Sequence, residues 1–568
     1  MKKDYEFVKR IVMNNKINSP DKTNTKDFHN LCKLALDHGG DISKLLLPSS
    51  ETIGDGITNG SILYHEGKWL LNLRRVGYLF YHSENEQKFP SPWGPLVYLN
   101  PEDDVVLRTK NYVCELDDNF EVSDWKKTNT GGLDKKPKWS FIGLEDARLQ
   151  FWNNTLYQTG VRRDTTTNGE GRMELSTVKK LDTEYLETDR VRITPPDPRT
   201  HANGGSYCEK NWMPINDMPN HYIKWTLPTE VVKVDPERGT SEVVHLVDQP
   251  HLKNIVRDPR GSSNIIKYKD YWVGIIHEVD LWFNVEKEKD SIYYHRFIVW
   301  DKDWNIKYTS DTFDFMTARV EFTCGLGFDG KDFLIPFGFQ DSTSYLLKLP
   351  TAVFENITSM SNKKLKPKKT YDETNKKNKN LYNFINDPYN SINAFNLADE
   401  YFKDGHWASA LSFYLRSVEF TDDPILEYDS HFMVCRSMAN RQSRPICELK
   451  MWYQLIEHSP NRPEGYQAIS NYHSWRGNFQ EAYLWSDIGL RNSTVEPKQI
   501  SINQGPIGYK KHFEIQKNLY GGNAYTKTED KLNQLKHYLS LDDKSSYPPD
   551  LHTWIKEEAE KYNLINKS

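Results

Sequence analysis

Cysteine is scarce: six residues in 568, at positions 32, 114, 208, 324, 435 and 447, with no CxxC pair among them. That spacing excludes a zinc ribbon and a dithiol redox motif, and predicts reduced thiols. Long apolar runs are missing too. No stretch reaches 18 apolar residues, and the opening "MKKDYEFVKRIVMNNKINSP" has no apolar leader segment, so a cytoplasmic protein with no membrane span is expected. Net charge is small, −5 from 74 Lys and Arg against 79 Asp and Glu. This argues against a strongly basic nucleic-acid binder, although a local basic groove, and with it a nucleic-acid acceptor, is compatible with a near-neutral total. GxSxG, Walker A, and GxGxxG between a strand and a helix are all absent.

What the chain does have is mass, 66.6 kDa, enough for two to four domains. It also has rings: 13% aromatics, with 16 Trp and 32 Tyr. Such content suits β-sheet packing, and it also suits clefts in which flat rings stack on sugar faces.

The pattern along the chain divides it. Residues 1–54 read as a helical and loop lead-in, with "TKDFHNLCKLALDHGGDISKLLL" at helical spacing and a Gly-Gly stop after the first helix. Residues 55–350 read as short strands broken by turns. Five segments are alike: "SILYHEGKWLLNLRRV", "GLEDARLQFWNNTLYQTGVRR", "EKNWMPINDMPNHYIKW", "RGSSNIIKYKDYWVGIIHEV" and "EFTCGLGFDGKDFLIPFGFQD". Each has a polar or glycine-rich start, an apolar strand, a turn ("EGK", "NNT", "MPNH", "YKD", "DGK") and a second apolar strand. The interval, roughly 50 to 80 residues, is that of a propeller blade, and the fold class expected is an all-β five-bladed β-propeller. A β-sandwich with long loops would leave the repeat unexplained. Residues 351–385, with "NKKLKPKKTYDETNKKNKN", read as a polar, lysine-rich linker. Residues 386–568 turn to helical spacing, with an interval of about 34 residues and small residues where helices meet. An all-α tetratricopeptide-like repeat domain is expected, with "GYKKHFEIQKNLYGG" and "DLHTWIKEEAEKYN" as capping helices.

In a propeller, the innermost strands line a central channel, and charge at one end of them faces a wet funnel. That accounts for Glu145, Asp146 and Arg148 in an otherwise apolar strand. The set expected to converge includes Asn72, Arg74, Glu145, Asp146, Arg148, Arg162 and Arg163. It continues with Glu209, Lys210, Asn211, Arg260, His277, Glu278, His295, Arg296, Glu321 and Asp341. A few carboxylates among several cations can move a proton and hold a phosphate-bearing donor, arginine doing so bidentately. Each of these residues also has a plain reading, a salt bridge between blades or a strand cap. "IIHEV" lacks the HExxH spacing of a metal site, and "DKD" at Asp301–Asp303 reads as a hairpin turn, so no cofactor is expected, with a divalent metal as the minor alternative.

With those residues set out, "GLEDARLQFWNNTLYQTGVRRD" resembles the Glu-Asp-Pro-Arg segment of the β-mannoside phosphorylases and hydrolases of glycoside hydrolase family 130. It is also similar to the β-1,2-mannosyltransferases that share their five-bladed propeller. "RGSSNIIKYKDYWVGIIHEV" and "EFTCGLGFDGKDFLIPFGFQD" resemble two later segments of that family. The likeness covers Ser61 to Asp341. It implies that Asp146 is the proton-donating aspartate, that Arg148 is the motif arginine, and that Arg162 or Arg163 and His277 hold an anion. It implies that Asp341 contacts a sugar. The motif proline is Ala147 here, and neither "CEKNWMP" nor "YYHRF" belongs to the phosphorylase pattern, so the chain resembles a divergent branch.

The residues and the resemblance leave three readings. The first is a glycosyltransferase that moves a sugar from a sugar nucleotide or sugar 1-phosphate to a glycan or other acceptor. In it Asp146 and Glu145 would do the proton work. Arg148, Arg162, Arg163, Lys210, Arg260, His277, His295 and Arg296 would hold the donor, and Asn72, Arg74, Glu209, Asn211, Glu278, Glu321 and Asp341 the sugar. The second is a β-mannoside-like phosphorylase or hydrolase. The third is a non-catalytic glycan-binding or assembly scaffold. In any of them the helical repeats are the part that would engage a protein or a second copy.

Overall fold

The computed structural model describes residues 30–80, 92–98, 107–139, 141–165, 169–196, 208–254, 256, 259–283, 289–368, 378–441, 445–494, 528–540 and 549–565. These form two compact units. The first runs to Phe420 and includes 440–441; the second takes in Thr421–Ala439 and the residues from 445 onward.

The first unit is mostly β. Strands Gly56–His65, Lys68–Val76, Leu107–Leu116 and Val122–Asn129 form an antiparallel meander. The last of these pairs in parallel with Tyr185–Arg192, the outer strand of a second meander. That meander returns through Arg172–Lys180 and Thr155–Arg162 to Glu145–Trp152. A third comprises Met213–Pro214, His221–Trp225, Thr229–Val234 and Ser241–Val247. In a fourth, Arg260–Gly261 and Ile266–Tyr268 both lie on Tyr271–Phe283, followed by Lys289–Trp300 and Ile306–Thr309. In the last, Glu321–Phe322 and Gly327–Phe328 lie on Asp332–Phe339, next to Thr343–Pro350.

Turn chemistry places the hairpins where the sequence puts them. Glu66 and Gly67 (φ 49° and 80°), and Asn153 and Asn154 (φ 49° and 59°), are both left-handed, as a two-residue turn matching strand twist requires. The N-terminal segment departs from the helical and loop lead-in that its spacing suggests. Leu31–Asp37 is a helix capped by the Asn30 side chain, but Asp41–Leu45 is a strand. It pairs with Thr343–Pro350 in the register Ile42 to Leu347, so it supplies the outer rung of the last sheet.

Each sheet buries a face on the next. Leu63, Leu70 and Val113 meet Leu149, Val178 and Tyr185. Trp152, Met173 and Leu175 meet Trp212, Tyr222 and Val232. Met213, Ile215, Ile223 and Val231 meet Ile276, Ile298 and Trp300. Tyr268 packs its ring on Phe328 and Phe333, and Leu334 and Leu346 of the last sheet meet Ile57, Ile62 and Leu71 of the first.

The first unit also contains helices that the linear pattern assigns elsewhere. Thr351–Ile357 and Lys379–Asn386 are helical within the segment that reads as a linker. Ser391–Lys403 and Trp407–Phe420 follow as an antiparallel pair turned by Gly405 (φ 79°). They pack on the β-region because its edge carries rings: Phe339 stacks on Phe413 at 4.9 Å, and the Tyr401 hydroxyl donates to that of Tyr345 at 2.9 Å.

In the second unit, helices Pro424–Asn440, Pro445–His458, Glu464–Trp475 and Phe479–Asn492 bury Leu426, Phe432, Trp452, Leu455, Tyr466 and Ile469. Gly477 (φ 75°) turns the last pair as Gly405 turns the earlier one. Thr528–Leu539 and Pro549–Lys561 close on Leu535, Tyr538 and Ile555. The segment "GYKKHFEIQKNLYGG" lies outside the described residues. No described helix is long and apolar enough to cross a membrane.

Replacing Phe413 with Ala removes the stacked partner of Phe339 and should cost about 3–5 kcal/mol. The expected readout is a lower thermal midpoint for the β-rich unit. An unchanged midpoint would mean that these helices are tethered rather than packed.

Candidate functional site

Backbone irregularity gathers at the starts of the inner strands. Asp146 has φ 51°, and the pairing of its strand with Thr155–Arg162 breaks register between Thr159 and Val161. Gly160 sits in that break, where an added Cβ would lie 2.5 Å from the Glu145 carbonyl oxygen. Asn59 (φ 50°) occupies a similar break between Thr58 and Ser61. Asn211, just before Met213–Pro214, has φ 66°, and Asp341, just past the end of Asp332–Phe339, has φ 49°. Left-handed backbone is costly for residues with a Cβ, and Asn and Asp tolerate it best. These bulges turn polar side chains out of the ladder.

The turned residues meet. Asp146 Oδ1 accepts from Asn59 Nδ2 at 2.9 Å and from Arg74 Nη1 at 2.9 Å. Arg74 donates Nη2 to the Tyr78 hydroxyl at 2.6 Å and Nε to Thr109 Oγ1 at 3.1 Å. Thr58 Oγ1 donates to Asn59 Oδ1 at 2.8 Å and faces Asp341 Oδ1 at 3.5 Å. Arg148, 1% exposed, donates Nη1 to the Asp146 carbonyl and Nε to that of Ser262, both at 2.8 Å. Its Nη2 has no hydrogen-bond partner among the described residues. His277 Nδ1 lies 2.8 Å from Ser262 Oγ.

The charges set protonation. Burial alone would raise the Asp146 carboxyl, but Arg74, then Lys210, the Asn59 bond and Arg148 hold it below the usual range. It is a carboxylate at neutral pH. Burial pushes the His277 imidazole well down, and His295, Arg260, Lys210 and Arg148 push it further, so it is neutral. Burial, with help from Asp341 and Asp146, pushes the Tyr293 hydroxyl up to about 12. Asp146, Arg148, Lys210, Arg260 and Asp341 thus act on His277 or Tyr293, and Arg74 acts on Asp146.

Other candidates sit elsewhere, and strand alternation explains several of them. His277 and His295 are cross-strand partners on one face, with His295 buried against the Phe313 and Phe315 rings. Glu278 and Arg296 lie on the opposite face, joined at 2.8 Å. Arg162, 2% exposed, donates to Glu174 at 2.8 Å and lies 3.5 Å from Asp164. Arg163 stands 3.8 Å from Glu145, over the Phe141 ring. Asn72 bridges the first two meanders: it donates to Asn111 at 3.0 Å and accepts from Gln158 at 2.9 Å. Glu209 accepts from Trp212 Nε1 at 2.9 Å. Glu321 accepts the backbone N–H groups of Met316 and Ala318 at 2.8 and 2.9 Å, organising a turn. Asp301 accepts the N–H groups of Asp303 and Asn305, both at 2.9 Å, as a turn does. Among the described residues no three His, Cys, Asp or Glu side chains are grouped to hold a metal ion.

Sequence reasoning overlooked Thr58, Asn59, Tyr78, Thr109 and Tyr293. The signal for Asn59 was the Asn-Gly pair in "ITNGS", inside a strand and not at a turn. Tyr78 and Thr109 carry no such signal, because they reach the site through the Arg74 guanidinium.

The Asp146–Arg74 pair links pH to stability. A carboxyl held below its unfolded value, about 3.9, stabilises the fold above that pH, and the contribution is lost as pH falls through the folded value. Asp146→Asn keeps a residue that tolerates φ 51° but leaves Arg74 buried without its counter-charge, which should cost about 3–5 kcal/mol at pH 7. Denaturant unfolding should show this gap narrowing below about pH 4. A gap independent of pH would sink the assignment.

No protein-family model and no curated protein matches the sequence. Solved structures do. The chain is similar to the β-1,2-mannobiose phosphorylase from Listeria innocua (12% identity, 54% of this chain and 93% of that one, TM-score 0.32). It is similar to a GDP-Man-dependent mannosyltransferase from Leishmania mexicana (10% identity, 58% and 94%, TM-score 0.32). It is also similar to a glycosyl hydrolase from Bacteroides ovatus (11% identity, 61% and 99%, TM-score 0.37).

Proposed function

We propose that the protein is a glycosyltransferase whose first unit is a five-bladed β-propeller and whose later helices are tetratricopeptide-like. The reading has Asp146 as general base at the funnel of the propeller. The observation that carries it is the pairing of Asp146 with Arg74 and Asn59, which holds its carboxyl below the usual range and so keeps it a carboxylate at neutral pH. A carboxylate can take a proton; it cannot give one. Transfer from an activated donor needs a base on the acceptor hydroxyl, whereas cleavage of a glycoside needs an acid at the leaving oxygen.

In this reading the acceptor hydroxyl passes its proton to Asp146 as its oxygen attacks the anomeric carbon. The bond to the phosphate oxygen breaks, and the leaving phosphate or nucleoside diphosphate departs with the bonding electrons. Arg148 Nη2, Lys210 and Arg260 receive that charge, and the neutral His277 can donate to a phosphate oxygen without adding a charge of its own. Asp341 and Tyr293 orient the sugar hydroxyls. Phosphorolysis is the same path reversed, with an Asp146 that phosphate binding has made easier to protonate.

The test is incubation with sugar nucleotides and sugar 1-phosphates, with and without glycan acceptors, following nucleotide or phosphate release. Acceptor-dependent release is expected, falling by a factor of about 10²–10⁴ in Asp146→Asn. The rate should rise with pH through the Asp146 value and then level off. Arg74→Met should move that rise to higher pH, since it removes the charge that holds the carboxyl low. Glycan binding that survives in Asp146→Asn, with no donor turned over by the wild type, would favour a scaffold.

A further inference from the structure

The inner strands have a second end. Asn59 and Asp146 join the starts of Gly56–His65 and Glu145–Trp152. Five residues further along each strand stand Tyr64 and Phe151, about 16 Å away at a rise of about 3.3 Å per residue. There the strands border a cavity of about 300 Å³. Its wall takes Tyr64 and Trp69 from the first meander and Phe151 from the second. Asn216 and Asp217 follow the inner strand of the third, Lys267 comes from the fourth and Phe328 from the last.

Its chemistry differs from that of the Asp146 end. Tyr64 is 58% exposed and lies 5.0 Å from Trp69 at a tilt of 55°. Gly327 lets the indole lie across its backbone: an added Cβ would come within 2.7 Å of the Trp69 ring. Asn216 carries a buried Oδ1 with no hydrogen-bond partner among the described residues. Asp217 and Lys267 are of opposite charge, so the wall has no net charge to attract phosphate. Flat apolar rings, the half-buried amide side chain of Asn216 and balanced charge together suit a neutral, polyhydroxylated ring, in a volume at the small end of ligand pockets.

We infer that this cavity is a non-catalytic binding site for an uncharged glycosyl unit, separate from the Asp146 end of the same strands. The inference goes beyond the proposed transfer reaction and does not require it. An aromatic face covers the apolar side of the sugar ring, and the Asn216 amide and Asp217 take its hydroxyls.

The experiment is saturation-transfer NMR on the full native chain, with no donor present and with mannobiose, cellobiose and maltose as probes. At least one disaccharide should bind. Tyr64→Ala and, separately, Asn216→Leu should each weaken it fivefold or more, with the thermal midpoint close to that of the parent. Free phosphate should not compete. Tyr64→Ala on the otherwise native chain should leave donor turnover with a monosaccharide acceptor unchanged. Binding that ignores both cavity substitutions, or is displaced by phosphate, would overturn the site. So would an apolar dye that binds there when none of the sugars does. Absence of turnover alongside cavity-dependent sugar binding would remove the transferase reading and leave this one standing.

Discussion

The pairing of Asp146 with Arg74 and Asn59 is the constraint on which the centre of this molecule depends. It joins two inner strands at their starts, and it exists only because both strands break register there. Three polar side chains in an apolar setting would otherwise be a liability, since an unpaired buried charge is costly. Pairing resolves that cost and fixes the protonation of the carboxylate in one step. Tyr78 and Thr109 add to the arrangement by accepting from Nη2 and Nε of the same guanidinium.

Around that pairing, charge is sorted by distance from the strand starts. Arg148, Lys210 and Arg260 stay near Asp146 and His277, and the Nη2 of Arg148 is left with hydrogen-bonding capacity to spare. Arg162 and Arg296, which look equivalent along the chain, are consumed by Glu174 and Glu278. The same alternation that makes a sheet amphipathic therefore divides the basic residues into site and scaffold. The far end of the strands carries the Tyr64, Trp69, Phe151 and Phe328 rings with one acid and one base, Asp217 and Lys267, so the two ends of the same strands differ in chemistry.

Much of this was legible in advance. The five turns read from "EGK", "NNT", "MPNH", "YKD" and "DGK" follow from local backbone preference, which a sequence displays directly. Asp146 and Arg148 stood out because charge in an apolar strand demands an explanation. The strand at Asp41–Leu45 did not stand out, because its two apolar residues, Ile42 and Leu45, are three apart, a spacing that suits a helix as well as a strand. Its partner, Thr343–Pro350, lies some 300 positions away, and only closure of the last sheet brings the two together.

The sequence by itself determined the meanders, their hairpins, the change to helical period and the presence of charge at strand starts, because each of these depends on neighbours a few residues apart. Tertiary structure alone decided which charges meet. His277 and Glu278 are adjacent in the chain, yet they face opposite sides of a sheet. Asn59 and Asp146 are 87 positions apart, yet they share a hydrogen bond. It also decided that the helices as far as Phe420 belong with the β-region, because the ring of Phe339 needed a partner that no local rule could name. Contacts between distant residues depend on the register and packing of whole sheets, and those are set only when every strand is in place.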